Sequence, residues 1–396
     1  GYRDALAFLV CSWIRAMALG KRVAVFCSDV SGAFDRVPAE RLLQKLSEKG
    51  VHASVVEVIR SWLRSRTAYV IVDGCKSPPF LLSDMVFQGT VWGPPLWNCF
   101  FEDARFAVNA AGFLECVFAD DLNCFKVFDD AVSDNTIHHD LSQCQSTLHR
   151  WGAANQVCFD ASKEGTYILD RRRHQGEQFK ILSVTFDTQL SMRATVLEVA
   201  AEGSWRLKAL MRTRQHFSTK ELFRMFRCHV LSFLEGCIFA VFHLTPAALA
   251  PIDAVQHRFL EELELSKEQA ALDFGLLPLA CRRDIEVLAL LHRIRLGVAP
   301  QCLAALFPQQ QTSIRNFFGS NGDRKRFQFE IPIPPGSSRF LVRSAFGMTK
   351  VYNKLPLEVT MSSSAQSFKR QLFKVVTQSI ASQPASWETC LSNSRD

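Results

Sequence analysis

No apolar run in the 396-residue sequence reaches the roughly 18 residues that a membrane-spanning helix needs. The longest candidate, Leu231 to Leu244, is interrupted by Glu235. Near the start, the apolar segment Ala5 to Ile14 follows Arg3 and Asp4, which is typical of an amphipathic core helix and not of a signal peptide. The sequence therefore predicts neither a membrane span nor a signal peptide.

Cysteine pairs with the spacing of a zinc site are also missing, because none of the thirteen cysteines forms a Cys-x-x-Cys pair. The count is odd, and most lie in apolar runs such as Val25-Phe26-Cys27. We therefore expect reduced core thiols in an intracellular protein of the nucleus or cytoplasm. Hydrophobic residues make up 48% and charged residues 21%, which is typical of a globular protein. The length allows two or three domains.

Charge is unevenly distributed along the chain. Residues 1–170 carry 16 Lys and Arg against 20 Asp and Glu, whereas residues 171–396 carry 30 against 19. A basic back half suits a protein that grips a nucleic-acid backbone. A merely basic surface explains the same composition equally well.

Two adjacent carboxylates, Asp120 and Asp121, stand between the apolar runs 116–118 and 122–125. This pattern predicts a β-hairpin with acids at its tip. A third carboxylate, Asp29, ends another strand-like apolar run. Acids at the ends of buried strands are costly unless a cation binds them, and paired Mg²⁺ ions that align a phosphoryl transfer are the usual solution. Taken alone, an Asp-Asp pair is more often a solvated turn.

Five motifs, in the correct order, resemble those of the reverse transcriptase of a non-LTR retrotransposon, a LINE-like transposable element of the jockey type. The motifs are residues 29–35, 88–96, 118–121, 151–163 and 179–187. The resemblance implies an RNA-directed DNA polymerase, a nucleotidyltransferase that adds dNTPs to the 3′-hydroxyl of a DNA primer on an RNA template. It covers residues 1–190 closely and the remainder more loosely.

The resemblance also implies the catalytic residues. Asp29 and Asp120 would each bridge two Mg²⁺ ions, with Mn²⁺ as a substitute, and the Val30 carbonyl would be a further ligand. Asp121 would be either a ligand or a support for the hairpin. Lys163 would protonate or neutralise the departing pyrophosphate, the alternative being a solvated surface lysine.

Three residues are expected to bind substrate. Phe34 resembles the aromatic residue that packs under the nucleotide sugar and excludes a ribose 2′-hydroxyl, and a core Phe is the alternative. Gln88 and Gly89 resemble the loop that positions template and nucleotide, where Gly allows close backbone approach. The loop departs from the usual family sequence at Phe87 and Trp92, and a Gln-Gly pair is otherwise a common turn.

Basic residues in two places are predicted to contact nucleic acid, although solvated charges explain them nearly as well. They are the turn residues Arg171, Arg172 and Arg173 and the helix-face residues Trp205, Lys208 and Arg212.

The predicted fold is α/β, with a right-hand polymerase palm (an α+β layer of antiparallel sheet and helices), partial fingers, a helical thumb and a helical C-terminal extension. Residues 1–190 would form the reverse transcriptase palm with partial fingers, and residues 191–300 the thumb and helical connection. Residues 301–381 would form the C-terminal extension, whose role we cannot assign from the sequence, and 382–396 a disordered tail. Residues 309–340 are predicted to be a mobile loop or linker.

Local patterns predict the individual elements. Helices are expected at 4–19, 38–49, 53–65, 95–110, 136–154, 191–211, 218–232, 246–265, 278–297 and 365–380. Strands are expected at 23–28, 69–72, 80–82, 166–169 and 179–186, together with the acid hairpin at 114–128.

The start of the chain, Gly1-Tyr2-Arg3, resembles the end of a fingers segment. It predicts an N-terminally truncated fragment that lacks most of the fingers and any upstream endonuclease. Such a fragment should bind primer–template with a strong salt dependence but extend it poorly or not at all. A catalytically silent nucleic-acid-binding remnant is the second hypothesis, and a telomerase-like or intron-maturase-like polymerase is the third. Oligomeric state, template preference and target site stay open.

Overall fold

The computed structural model describes residues 1–392 except 65, 83–84, 174–176, 315–323 and 331–337. The chain divides into two compact units. We call Lys21–Leu169 the sheet unit, and Gly1–Gly20 with Asp170–Asp396 the helical unit. This division does not follow the predicted boundary at residue 190, because the first helix and the hairpin after residue 170 both pack within the helical unit.

The strands of the described residues are all paired in antiparallel fashion. They are β1 (Arg22–Asp29), β2 (Arg66–Ala68), β3 (Ile71–Val72), β4 (Cys75–Lys76), β5 (Phe80–Leu82), β6 (Leu114–Phe118), β7 (Asp121–Phe128), β8 (Gly165–Leu169), β9 (Gln178–Ile181), β10 (Val184–Asp187), β11 (Gln309–Ile314) and β12 (Arg324–Phe329).

The α-helices of the described residues are more numerous in the second half of the chain. They are α1 (Tyr2–Ala18), α2 (Ala39–Glu48), α3 (Ala53–Leu63), α4 (Gly93–Phe101), α5 (Ala104–Ala110), α6 (Asp134–Asn155), α7 (Arg193–Met211), α8 (Thr219–Met225), α9 (Ser232–Leu234), α10 (Ile238–Val241), α11 (Pro246–Glu261), α12 (Lys267–Phe274), α13 (Leu279–Arg295), α14 (Gln301–Ala304), α15 (Arg339–Arg343), α16 (Ala345–Lys354), α17 (Leu357–Thr360) and α18 (Ala365–Ser382). Short 3₁₀ turns lie at Ala33–Arg36, Arg214–His216 and Trp387–Thr389, and a π-helical stretch at Phe226–Leu231.

A four-stranded antiparallel sheet organises the sheet unit, with the strand order β6-β7-β1-β8. The interior strand β1 is buried along its length up to Ser28, which explains why its sequence is a continuous apolar run and not an alternating one. Helix α6 packs against β1 and buries Ile137, Leu141 and Leu148, three positions on one helix face. The resulting core holds β1 and the acid hairpin in a fixed register.

The segment between helices α3 and α4 forms two small strand pairs where one hairpin was predicted. The turn at Asp73-Gly74 is confirmed, since both residues have a positive φ and β3 pairs with β4 across it. However, β5 pairs with the earlier strand β2 and not with residues 69–72. The predicted helix at 95–110 is likewise two helices, α4 and α5.

In the helical unit, the hairpin of β9 and β10 packs on helix α1. The Trp13 ring is fully buried and lies 6.3 Å from the Phe179 ring and 5.5 Å from the Phe186 ring. These contacts place the predicted hairpin at 179–186 in the same core as the first helix. Helix α13 is central to this unit, since 12 of its 17 residues are buried.

The disordered tail predicted from residue 382 is wrong for residues 383–392. Trp387 is 2% exposed and its Nε1 donates to Glu268 Oε1 at 3.2 Å. The adjacent Glu388 pairs with Lys267 Nζ at 3.0 Å. One buried aromatic anchor therefore fixes a segment whose polar composition predicted disorder. Residues 393–396 lie outside the described residues.

The mobile loop predicted at 309–340 contains a β-hairpin, in which β11 pairs with β12. Phe329 is 3% exposed, and both its backbone N–H and its carbonyl bond to the side-chain amide of Asn353, at 2.9 and 2.8 Å. Residues 315–323 and 331–337 of this prediction lie outside the described residues.

No helix in the described part of the chain combines the length and the apolar character that crossing a bilayer requires. All thirteen cysteines are free thiols, and six of them are buried. The prediction of core thiols therefore holds for about half of the cysteines.

Candidate active site

The three predicted acids meet at one end of the four-stranded sheet. In the ladder between β1 and β7, the last pair of residues is Asp29 with Asp121. Asp120 lies in the tight turn between β6 and β7, next to Ala119, whose φ of 57° is unusual for a residue other than Gly. The predicted acid hairpin is thus present, and Asp121, not Asp120, is directly opposite Asp29.

The surroundings of Asp121 disfavour the charge of its carboxylate. Burial raises the pKa of Asp121, and the negative charges of Asp29 and Asp120 raise it further. The side chain of Asp29 is only 13% exposed. Crowded acids of this kind favour the binding of a proton or a cation.

Lys163 supplies the cation in this structure. Its Nζ lies 2.5 Å from Asp29 Oδ2, and its side chain is 61% exposed. Hydrogen bonding to Asp29 is the first cause that raises the pKa of Lys163, so the amine is firmly protonated. The contact brings Lys163 to Asp29, which is 134 residues away in the sequence, while the predicted role of Lys163 at the pyrophosphate stays a prediction.

Backbone bonds align the loop that carries Lys163 with the end of β1. Asp160 N–H donates to the Asp29 carbonyl at 3.0 Å, and Ser31 N–H donates to the Cys158 carbonyl at 2.9 Å. These two bonds flank Val30, which pairs with Phe159. The Val30 carbonyl oxygen takes part in neither bond, which a role as a metal ligand would require.

Glu164 is a residue that the sequence analysis missed. Its side chain is only 6% exposed and accepts hydrogen bonds from Ser28 Oγ and Gln145 Nε2, each at 2.9 Å. His149 Nε2 lies 2.9 Å from the same carboxylate. Glu164 therefore ties β1 to helix α6 directly beside Lys163. The four-residue spacing of Gln145 and His149 on one helix face was the available signal.

Trp97 is a second missed residue, and it connects the predicted sugar gate to the acid hairpin. Its Nε1 donates to the Ala119 carbonyl at 2.8 Å. On its other side, the ring stacks on Phe34 with centroids 5.7 Å apart. Phe34 is half-buried and packs against the core of the sheet unit. A buried Trp needs a partner for its N–H, which was the available signal.

Gln88 and Gly89 lie in an exposed loop that precedes helix α4. Gly89 has a φ of +76°, which only Gly adopts without strain, and a Cβ there would meet no atom within 4 Å. Thr90 Oγ1 accepts from Gly93 N–H at 3.1 Å and donates to the Phe87 carbonyl at 2.7 Å, so the loop is held from within. The structure leaves the Gln88 side chain accessible but shows no contact with the acids.

Across the described residues, no group of three or more His, Cys, Asp or Glu side chains has the arrangement that holds a metal ion. Asp29, Asp120 and Asp121 are close enough to shift the pKa of Asp121. They nevertheless have the right chemistry, since divalent hard cations take carboxylate and carbonyl oxygens.

The residues predicted to contact nucleic acid all belong to the helical unit. Arg171, Arg172 and Arg173 occupy an exposed turn after β8, whose continuation through His174 lies outside the described residues. Trp205, Lys208 and Arg212 are exposed along one side of α7 and at its end, with Trp205 65% exposed. The predicted shared helix face is therefore present.

Residues 11–186 match the sequence model of the family described as "Reverse transcriptase (RNA-dependent DNA polymerase)". The match includes Asp29, Asp120, Asp121 and Lys163 and ends in the hairpin of β9 and β10. Over these residues the chain is similar to reverse transcriptase domains, which confirms the resemblance drawn from the motifs.

Two curated relatives are the RNA-directed DNA polymerases from mobile element jockey of Drosophila funebris and Drosophila melanogaster. The first is 24% identical over 225 residues, which are 51% of this chain and 24% of the relative. The second is 25% identical over 189 residues, which are 43% of this chain and 20% of the relative. The matched region thus spans about a quarter or less of the curated relatives' length.

Proposed function

We propose that this chain is the polymerase portion of the reverse transcriptase of a non-LTR mobile element, which extends a DNA primer with dNTPs on an RNA template. The observation that carries the proposal is the meeting of Asp29, Asp120 and Asp121 at one sheet end, inside the segment that matches the family. The jockey relatives, which are RNA-directed DNA polymerases by name, support the same reaction.

The oxygens available at the site suit two Mg²⁺ ions, or Mn²⁺ in their place. Asp29, Asp120 and the Val30 carbonyl would hold them, and Asp121 would be either a further ligand or the support of the hairpin. Bound ions would make the primer 3′-hydroxyl more acidic and neutralise charge on the leaving pyrophosphate. The raised pKa of Asp121 supports this assignment, because the acids lack sufficient positive charge of their own.

Lys163 has two tasks in this proposal. Before substrate binds, its ammonium group neutralises Asp29. Because the side chain is largely exposed and flexible, Nζ can leave Asp29 and donate a proton or a hydrogen bond to the departing pyrophosphate. Glu164 keeps the backbone of this loop beside β1 while Lys163 moves.

Phe34, backed by Trp97, is proposed to exclude a ribose 2′-hydroxyl by steric contact. Gln88 and Gly89 would position the template and the incoming nucleotide, Gly89 through its open backbone.

In terms of a right-hand polymerase, the sheet unit would be the palm with part of the fingers. The helical unit would contain the thumb and the C-terminal extension, and Arg171, Arg172, Arg173, Trp205, Lys208 and Arg212 would contact the nucleic acid.

The test is single-turnover extension of a labelled DNA primer on an RNA template, with the chain in excess and products resolved at single-nucleotide length. We expect weak template-directed addition, in line with the poor extension predicted from the sequence. The addition should require the template, a complementary dNTP and Mg²⁺ or Mn²⁺. Primer–template binding measured by fluorescence anisotropy runs in parallel. Tight binding without any addition in either metal would contradict the polymerase proposal and favour a silent nucleic-acid-binding remnant.

A further inference from the structure

Side chains from three separate segments of the helical unit meet at one buried aromatic ring. Phe340 of α15 is 5% exposed, and the guanidinium carbon of Arg171 lies 4.0 Å from its ring centroid. The ring of His243 meets Phe340 edge-on at 5.1 Å. Stacking on an aromatic face fixes the plane of the Arg171 guanidinium before any ligand arrives.

Arg343, one turn after Phe340 on the same helix, is close enough to oppose the charge of Arg171. The pKa of Arg171 is lowered, first by burial and second by Arg343. His243 next to them stays neutral, because burial lowers its pKa to about 4. Its Nε2 donates to the Leu190 carbonyl at 2.9 Å, so it adds no positive charge.

Acidic side chains near this cluster form hydrogen bonds or ion pairs with other groups. Asp170 Oδ1 accepts from the Arg172 backbone N–H at 2.8 Å, and Asp170 Oδ2 lies 3.8 Å from Arg173 Nε. Asp187 accepts from the backbone N–H groups of Gln189, Ser191 and Met192. The undescribed segments nearest in sequence, 174–176 and 331–337, contain neither Asp nor Glu.

Arg343 also has an unused donor. Within the described residues its Nε–H is buried and has no hydrogen-bond partner. A buried donor without a partner is unfavourable, and a bound acceptor would relieve that cost. Two neighbouring guanidinium groups, of which Arg171 is held over an aromatic ring and Arg343 has an unused donor, match the oxygens of a phosphate, which Arg binds in bidentate fashion.

We propose that Arg171 and Arg343 form a phosphate-binding site whose ligand is a phosphodiester group of bound nucleic acid. This inference rests on the proposed function and deepens it, since it gives the C-terminal extension a part in gripping the primer–template. The charge of the unit agrees, with 32 Lys and Arg against 21 Asp and Glu. Counterions released from each neutralised phosphate make the contact measurable by its salt dependence.

The experiment measures the affinity of the full chain for a labelled primer–template duplex between about 50 and 200 mM salt. Arg171→Gln, Arg343→Gln and the double variant are compared with Arg60→Gln, which removes an ion-paired arginine of the sheet unit. We expect each single variant to lower the log–log salt slope by about 0.9, the value for one phosphate. Because both arginines hold one phosphate, the double variant should lose little more than either single variant.

A salt slope equal to that of Arg60→Gln in both single variants would overturn the site while leaving the polymerase proposal intact. A raised Michaelis constant for dNTP with an unchanged duplex affinity would also overturn it, since the ligand would then be a triphosphate.

If a variant fails to fold, arginine modification by phenylglyoxal on the unaltered chain decides the question. Primer–template should protect Arg171 and Arg343, and equal labelling with and without duplex would contradict the proposal. Failure of the unaltered chain to bind duplex at all would instead overturn the proposed function.

Discussion

Like charges crowd together in both units, but with opposite sign. In the sheet unit, burial and two neighbouring acids raise the pKa of Asp121. In the helical unit, burial and Arg343 lower the pKa of Arg171. Each shift means that folding makes the charged form of that side chain less favourable. Neither cluster therefore stabilises the fold, and each needs another explanation. A cation would relieve the first cluster and a phosphate the second.

The clusters differ in how much neutralisation the chain itself provides. Lys163 reaches Asp29 and partly compensates the acids. For Arg171 and Arg343, the acids near them are bonded to other groups. The acidic cluster therefore has an internal counter-charge that can move, which suits repeated catalytic cycles. The arginine pair instead suits continued binding of nucleic acid.

The largest expected effect follows from Asp120→Asn. Loss of one carboxylate from the acid hairpin should lower single-turnover extension on the order of 10³-fold or more, since metal positioning contributes several kcal/mol to phosphoryl transfer. Duplex binding should not weaken, because a negative charge is lost. Asp73→Asn, in the exposed turn between β3 and β4, is the matched control. Full activity of Asp120→Asn would remove the acidic cluster from the mechanism.

Lys163→Ala tests the movable counter-charge. Loss of a proton or hydrogen-bond donor to pyrophosphate should slow nucleotide addition by about 10²-fold. The exposed Lys220 of α8 supplies the control Lys220→Ala. The rate constants come from rapid-quench incorporation of one nucleotide. A decrease no greater than that of the control would reduce Lys163 to a resting partner of Asp29.

Phe34→Ala should change selectivity more than rate. Without the ring, the preference for a dNTP over the matching ribonucleotide should fall by at least about tenfold, since steric exclusion of the 2′-hydroxyl is lost. Competing incorporation of the two nucleotides measures the ratio. Phe34→Leu, which keeps apolar contact with Trp97, separates the gate from simple loss of packing. An unchanged ratio in Phe34→Ala would make Phe34 a core residue only.

The smallest expected effect is a pH dependence of the free energy of unfolding, which arises from two histidines of the helical unit. Burial is the first cause that lowers the pKa of both His243 and His292, each to about 4. Their unfolded value is about 6.5, so between about pH 6.5 and 4 the unfolded chain binds more protons. The free energy of unfolding should therefore be highest above pH 6.5 and should fall on acidification. Each histidine should lower it by at most about 1.4 kcal/mol for each pH unit.

Urea unfolding followed by circular dichroism between pH 7 and 4.5 measures this dependence. His292→Asn should flatten the curve, because one of the two buried imidazoles no longer gains a proton on unfolding. His138→Gln, at an exposed position of the sheet unit, should leave the curve unchanged. A stability that is constant across the window would contradict the neutral, buried state of both histidines.

Sequence reasoning predicted the elements of the sheet unit well, since its signals are local. The apolar run of β1 and the acids flanked by apolar runs predict a strand and a hairpin without tertiary information. It could not predict which acid lies opposite Asp29, because that depends on strand register. Glu164 and Trp97 were missed because their contacts join residues that lie 15 to 136 positions apart in the sequence.

In the helical unit, the errors of the sequence analysis fall where single aromatic residues outweigh composition. Trp387 fixes a segment that is otherwise polar, and Phe329 joins the hairpin of β11 and β12 to Asn353. Phe340 assembles the basic cluster from segments about 170 residues apart in the same way. No window of local sequence contains both members of such a contact, so composition predicted loop and tail instead.

Direct measurement of Mn²⁺ binding tests the central claim, that the acids of the sheet unit hold catalytic divalent cations. Electron paramagnetic resonance of free Mn²⁺, titrated with the full chain, reports binding without any need for polymerase activity. The unaltered chain and Asp73→Asn should bind Mn²⁺ equally, and Asp29→Asn and Asp120→Asn should each lose most of that binding. Equal Mn²⁺ binding by all four proteins, or none by the unaltered chain, would contradict the account.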